Sequence, residues 1–124
     1  MRLMLKGSAG QGVQLMSLVL ANVLKDNGYH VSMMSEYTPL MRAGDSIARL
    51  VFSKERIENP LVEEADLEYD LGDDEYKDIK VKNMFLLGAI FKRLDLRFDE
   101  YVGEYLPKKN VAENLEAIKT GYGK

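Results

Sequence analysis

Hydrophobic positions along the chain keep two different periods. Residues 2 to 6 hold a short apolar run that stops abruptly at Gly7, which predicts a buried strand. From Val13 to Lys25 the apolar residues Val13, Met16, Val19, Leu20, Val23 and Leu24 recur at helical spacing, and Asn27-Gly28 supplies a stop. The stretches YHVSMMSEY (29–37) and SIARLVFS (46–53) read as a second and a third strand. Between them TPLMRAGD holds a proline and a glycine and no room for a packed helix. A parallel crossover needs about a dozen residues or more, so the third strand is expected to run antiparallel.

After the turn signal Glu58-Asn59-Pro60, the segment ADLEYDLG alternates Leu67, Tyr69 and Leu71 with Glu68 and Asp70. That is the period of a strand with one wet, acidic face. The last third is helical in pattern. Residues 81–94 carry Val81, Met84, Phe85, Leu87, Phe91 and Leu94, and residues 98–106 carry Phe98, Tyr101, Val102, Tyr105 and Leu106. A third helix is expected after Asn110, with Glu113 as the reaching-back partner of a capping box and Val111, Leu115, Ile118 and Tyr122 as its buried stripe. One strand-turn-helix unit, then strands, then helices, argues for a two-layer or three-layer α/β domain with a mixed sheet.

Length and composition narrow the function. The 124 residues, 46% of them hydrophobic, suit one domain spanning 1–124. Seventeen basic and twenty acidic residues are scattered without a basic stripe, which argues against nucleic acid as a partner. There is no cysteine, so this chain supplies no disulfide, no thiolate metal site, no thiol nucleophile and no iron-sulfur cluster. Residues 1–6 are too short an apolar stretch for a signal peptide, and the longest one, Met84 to Phe91, cannot span a bilayer. A soluble cytoplasmic protein without membrane contact is the expectation.

Two loops are candidates for chemistry. The first, Gly7-Ser8-Ala9-Gly10-Gln11-Gly12, links a strand to a helix N-terminus. Its glycines fall at relative positions 1, 4 and 6, whereas the dinucleotide fingerprint wants 1, 3 and 6, and no Lys-Ser/Thr pair follows as a phosphate-binding Walker loop requires. It is either a tight turn or an anion cradle built from backbone N–H groups. The second, EYTPLMRAGDS (36–46), holds Arg42 among small residues, where it serves as a solvated surface arginine or as a bidentate partner for an anion or a carboxylate. With the first two strands side by side, both loops lie at one end of the sheet, where ligands of α/β folds bind. The acidic run from Asp66 to Glu75 fails as a calcium loop, since the places for Gly and Glu hold Leu71 and Lys77. His30 is the single histidine and reads as a strand-start residue; the seven methionines read as core filler.

Taken together, these loops give the chain a resemblance to the gamma subunit, or gamma domain, of the 2-oxoacid:ferredoxin oxidoreductases. That family opens with a strand and Gly-x-Gly-Gly-Gln-Gly, similar to Gly7 through Gly12 here. It continues with a helix ending near a glycine (Gly28) and a strand leading into Tyr-Gly-Pro-x-x-Arg-Gly-Gly, matched by Tyr37-Thr38-Pro39-Leu40-Met41-Arg42-Ala43-Gly44. VKNMFLLGAI resembles the family's Asn-Met-x-x-Leu-Gly helix, and NVAENLEAIKTGY its C-terminal helix. The resemblance covers residues 1 to about 66 and 79 to 123. It implies a Rossmann-like mixed sheet with flanking helices whose central part is shortened. Ala9 and Ala43 stand where the family has glycine, each adding a methyl group at a point of close approach.

The resemblance further implies a complex that oxidatively decarboxylates a 2-oxoacid to an acyl-CoA and passes electrons to ferredoxin. Thiamine diphosphate, magnesium and iron-sulfur clusters would sit on alpha, beta and delta-type partner subunits, because this chain lacks their motifs. Its own role would be accessory, with no catalytic residue and no metal site. CoA is the ligand whose phosphates would suit the glycine loop and Arg42. Gly7, Ser8, Gly10, Gln11 and Gly12 would give backbone or amide contacts, Arg42 an anion or interface pair, and Asn83 a buried polar contact, unless Asn83 is an ordinary helix N-cap. The alternatives are a stand-alone small-ligand-binding domain, which would be monomeric or a simple dimer, and a structural pairing domain, which would form a homodimer.

Overall fold

Backbone pairing begins with Met1, whose ammonium group donates to Phe52 O at 2.6 Å while Phe52 N–H donates back to Met1 O at 2.9 Å. The computed structural model describes residues 1–8, 12–38, 45–55, 66–72 and 81–123. Their elements run β1 (Arg2–Ser8), α1 (Val13–Asp26), β2 (His30–Thr38), β3 (Asp45–Ser53), β4 (Leu67–Asp70), α2 (Lys82–Arg93), a 3-10 helix (Glu100–Tyr105) and α3 (Val111–Tyr122). The strands form one mixed sheet in the order β2-β3-β1-β4. As the short 38–45 connection requires, β3 is antiparallel to β2, and it is also antiparallel to β1, whereas β4 lies parallel to β1. The first two strands are therefore not neighbours. β3 returns between them, because a short connection delivers it straight back against β2.

Register decides which residues face the helices. Leu3 sits beside Leu50 and Leu67, Leu5 beside Ala48 and Tyr69, and Phe52 beside Val31. Leu3, Leu5, Ala48 and Leu50 have no exposed surface, and they join one core with Met16, Leu20 and Leu24 of α1 and Met84, Leu87, Ile90 and Phe91 of α2. Each such large side chain contributes roughly 1.5–3 kcal/mol by leaving water. The alternate row, with Arg2, Met4, Lys6, Arg49, Glu68 and Asp70, stays outside that core. Among the described residues the domain thus has two layers, a sheet and helices on one face. On β4 the expected alternation is seen, with Leu67 and Tyr69 half-buried and Glu68 and Asp70 exposed.

The first helix ends where its sequence says it should. α1 stops at Asn27, and Gly28 takes φ 87°, a left-handed value that glycine adopts without strain. Tyr29 N–H then reaches back to Leu24 O at 3.0 Å. α2 and α3 pack backbone to backbone. A methyl group on Gly88 would lie 2.0 Å from Ile118 O, and one on Gly121 would lie 1.9 Å from Phe85 O. Phe98 bridges the helical layer, with ring centroids 5.2 Å from Phe91 and 5.1 Å from Tyr122.

Two local expectations are corrected. The helical pattern of 98–106 folds as a 3-10 helix over Glu100–Tyr105. Asp99 caps it by accepting from Tyr101 N–H at 2.8 Å, Gly103 sits inside it, and Pro107 follows its end, leaving too little chain for an α-helix. The Asn110 half of the capping box at α3 does not form. Asn110 lies at the expected place but takes the left-handed conformation (φ 65°) and makes no side-chain cap, because a capping side chain needs an extended backbone to reach the first free N–H groups. Of the expected stripe, Ile118 is fully buried, while Val111, Leu115 and Tyr122 are half-buried.

Candidate functional site

Three connections open from one end of the sheet. Ser8, the last residue of β1, pairs with Asp45, the first of β3, which pairs in turn with Thr38, the last of β2. The glycine loop and the Arg42 loop therefore leave the sheet in the same direction, although β3 separates their parent strands. β4 is parallel to β1 and ends beside Lys6, so the chain leading to α2 departs from that end as well. This is the carboxyl end of the parallel strands, the usual ligand end of an open α/β sheet.

Gly12 and Asn83 join the first and last of these connections. Gly12 is the N-cap residue of α1 with φ 80°, and its carbonyl accepts from Met16 N–H at 3.0 Å and from Asn83 Nδ2 at 3.4 Å. A methyl group on Gly12 would lie 2.3 Å from Asn83 Nδ2, so both the conformation and the close approach call for glycine. Asn83 is half-buried and is not the N-cap of α2, a place held by Val81. Its Oδ1 accepts from Met84 N–H at 2.9 Å. The asparagine thus fixes the start of α2 against the start of α1.

A second contact ties the start of α1 to the start of β3. Gln14 Nε2 donates to Ser46 Oγ at 2.7 Å, and Ser46 is nearly buried. Neither residue stood out in the sequence, since a lone Gln and a lone Ser carry no pattern. Two helix N-termini then meet at this end, and neither α1 nor α2 has an acidic residue in its first turn. Their free N–H groups and partial positive charge favour an anion here. Gly7 is buried in β1 opposite Ser46, and the backbone of Ser8 closes the strand. Gly10, Gln11 and Arg42, with Ala9 and Ala43, lie outside the described residues.

A cavity of roughly 980 Å³ occupies the opposite end, lined among others by Asp26, Asn27, Lys54, Arg97 and Tyr101. Its wall is stitched by Asn27, whose Nδ2 donates to Val23 O (2.7 Å) and Arg97 O (2.9 Å) while its Oδ1 accepts from Arg97 N–H (2.9 Å). Lys54 donates to Asn27 O and lies 4.2 Å over the Tyr29 ring. Tyr105 donates to Asp26 Oδ2 at 2.6 Å, and this bond, with lesser effects of burial and nearby negative charge, pushes its phenol up to about 12. Tyr69 on β4 is also raised, by burial, with Arg93 pulling the other way. With acids and bases interleaved, the cavity has no single electrostatic preference. Among the described residues no group of three or more His, Cys, Asp or Glu side chains could hold a metal ion, and no helix is long and apolar enough to cross a membrane.

The strand pairing defines a two-layer α/β domain among the described residues, with the glycine-rich stretch and the Arg42 stretch of the sequence following strand ends at the carboxyl end of its parallel strands. The family described as pyruvate ferredoxin/flavodoxin oxidoreductase matches residues 2–69, more than half of the chain, and the chain belongs to that family. Ketoisovalerate oxidoreductase subunit VorA of Methanothermobacter thermautotrophicus is 38% identical over 66 residues, which is 53% of this chain and 14% of that protein; the Methanothermobacter marburgensis subunit matches equally. The chain therefore spans about one seventh of the length of these curated relatives. In fold it is similar to the gamma subunit of a keto/oxoacid ferredoxin oxidoreductase from Geobacter sulfurreducens (TM-score 0.67, 16% identity, 98% of this chain and 96% of that one). Pyruvate oxidoreductase subunit PORC of Thermotoga maritima gives a TM-score of 0.66 at 20% identity, covering 99% of this chain and 95% of that one. The 2-oxoglutarate:ferredoxin oxidoreductase of Magnetococcus marinus, solved with 2-oxoglutarate, coenzyme A and succinyl-CoA bound, gives 0.71 at 14% identity, over 99% of this chain and 30% of that one.

Proposed function

We propose that the chain is a gamma-type accessory subunit of a 2-oxoacid:ferredoxin oxidoreductase complex, the class that converts a 2-oxoacid to an acyl-CoA. The observation that carries this reading is the family match over residues 2–69, which spans β1 through β4 and so includes both loops at the carboxyl end of the sheet. Thiamine diphosphate, magnesium and the iron-sulfur clusters belong to alpha, beta and delta-type partners, with ferredoxin reached through them. This chain has no cysteine to hold a cluster.

CoA is the ligand proposed for the glycine-loop end. The two helix N-termini, unopposed by first-turn acids, suit its phosphates. In this reading the backbone N–H groups between Gly7 and Gly12 orient the phosphates, Arg42 adds a bidentate charge pair, and Asn83 holds the loop in shape. The chain itself moves no proton and makes no bond in the reaction.

A tagged chain recovered from its native host at low salt, with mass spectrometry of what accompanies it, tests the assignment. Recovery of a thiamine-dependent oxidoreductase subunit supports it; recovery of the chain alone contradicts it. CoA at a hundred times its dissociation constant would add about 2.7 kcal/mol of stability if the loop binds it. Arg42→Glu is expected to weaken partner or anion binding and leave the melting temperature within a few degrees of wild type, because a loop charge contributes little to a core. A large drop in melting temperature without a binding defect would make Arg42 structural.

A further inference from the structure

Of the asparagines in the chain, Asn27 is the one followed by glycine; the others precede Val23, Pro60, Met84, Val111 and Leu115. The difference is chemical. In an unrestrained chain the backbone nitrogen after an asparagine attacks the side-chain Cγ, and a following residue with no Cβ lets that nitrogen approach most closely. Nδ2 leaves as ammonia, taking the proton from the Gly28 nitrogen, and a succinimide ring closes. Water then adds to either ring carbonyl and breaks its bond to nitrogen, which leaves aspartate or isoaspartate at position 27. Asparagine is accordingly counted among the heat-labile residues.

The fold restrains each group in that reaction. Nδ2, the leaving group, donates to Val23 O at 2.7 Å and to Arg97 O at 2.9 Å, and Oδ1 accepts from Arg97 N–H at 2.9 Å. The nucleophile is occupied too, since Gly28 N–H donates to Lys25 O at 3.0 Å. Asn27 sits at φ −89° and ψ 9°, continuing the last turn of α1, and its side chain reaches back to the carbonyl four residues earlier. For the nitrogen to reach Cγ, Arg97 must leave the end of α1 and Gly28 must leave Lys25.

We propose that Asn27-Gly28 is a deamidation site held closed by the fold. While the end of α1 stays tied to Arg97 the amide is unreactive, and each opening of that tie exposes it to conversion. The product cannot rebuild the tie. A carboxylate has no N–H for Val23 O or Arg97 O, so two donor bonds become contacts between oxygens. It also adds negative charge at the C-terminal end of a helix, in a cavity where Asp26, Asp95 and Asp99 already outnumber Lys54 and Arg97. The modification therefore records an opening and makes the next one easier. It is independent of the glycine-loop end and of the role proposed for that end.

Peptide mass spectrometry of the full chain, held at mildly alkaline pH either folded or in guanidinium, tests the proposal. The tryptic peptide 26–42 contains no asparagine but Asn27, so its deamidated fraction reads this site alone. The unfolded chain is expected to convert there before any other asparagine, and the folded chain more slowly by about tenfold or more, in proportion to the open fraction. In guanidinium, Gly28→Ala should slow the conversion by roughly tenfold, because the added methyl group crowds the attacking nitrogen. Asn27→Asp, a stand-in for the product, should melt several degrees below wild type or fail to fold, and either result means that the tie is not rebuilt. Equal rates in the folded and unfolded chain, no conversion at Asn27 in guanidinium, earlier conversion at another asparagine, or an Asn27→Asp variant as stable as wild type would each overturn the proposal.

Discussion

Gly12 and Gly121 both stand where a methyl group would collide, yet the two ends of the molecule use glycine for different reasons. At the loop end Gly12 has a left-handed backbone, and its close neighbour is the amide of Asn83, the far tip of a rotatable side chain. In the helical layer Gly121 lies within regular α3, and its close neighbour is Phe85 O, part of the α2 backbone. Conformational freedom is needed in the first case and the absence of a side chain in the second. The helix contact is therefore the less forgiving, because a side-chain tip can swing aside and a helix backbone cannot.

Breaking the helix contact should cost most. Gly121→Ala gains about 1 kcal/mol in helix propensity, yet forcing the two helices apart is expected to leave a net loss of about 2–3 kcal/mol. A thermal melt should register this as a fall of roughly 10 °C. Gly12→Ala should cost about 1–2 kcal/mol, chiefly from the left-handed backbone. In a double-mutant cycle, adding Asn83→Ala should recover only the part due to the collision, which separates conformational cost from contact cost at that loop. If Gly12→Ala proves costlier than Gly121→Ala, the ranking of the two ends is wrong.

Smaller effects sharpen the picture at the cavity end. Asn27→Ala removes the side-chain bonds to Val23 O, Arg97 O and Arg97 N–H and should lower stability by about 1–2 kcal/mol in a denaturant titration. Tyr105→Phe should have the least effect, since its bond to Asp26 faces solvent. The sign of its pH dependence is fixed. The folded protein holds the neutral phenol up to about 12, above the ordinary value of 10.0, so the bond's contribution is complete below pH 10 and fades as pH rises through 12. Melts of wild type and Tyr105→Phe should converge at the alkaline end; a gap that widens there would contradict the assignment.

Much of this arrangement was legible in the sequence because period and punctuation are local signals. The apolar spacing from Val13 to Leu24, the Asn27-Gly28 stop and the short connection before Asp45 suffice for α1, its end and the antiparallel return of β3. The order of strands is not local. Nothing in YHVSMMSEY says that β3 will lie between β1 and β2, which only the pairing of Ser8, Asp45 and Thr38 shows. The 98–106 segment misled because a helical pattern says nothing about hydrogen-bond type, and Asn110 because capping depends on a backbone angle that residue identity leaves open. At the candidate site the glycine spacing marks the loop, and Asn83 stands out by its place in the Asn-Met-x-x-Leu-Gly pattern. The bond from Gln14 to Ser46 has no such marker, and neither has the mutual packing of Gly88 and Gly121, beyond glycine appearing inside an apolar helix.

In the proposed role this chain serves an oxidoreductase complex whose catalysis lies on other subunits. The direct measurement is 2-oxoacid-dependent and CoA-dependent reduction of an artificial electron acceptor by the purified complex, compared with and without this chain. Activity is expected to fall when the chain is left out, to return when it is added back, and to be restored less well by Arg42→Glu at limiting CoA. Equal activity with and without the chain, at every CoA concentration, would contradict it.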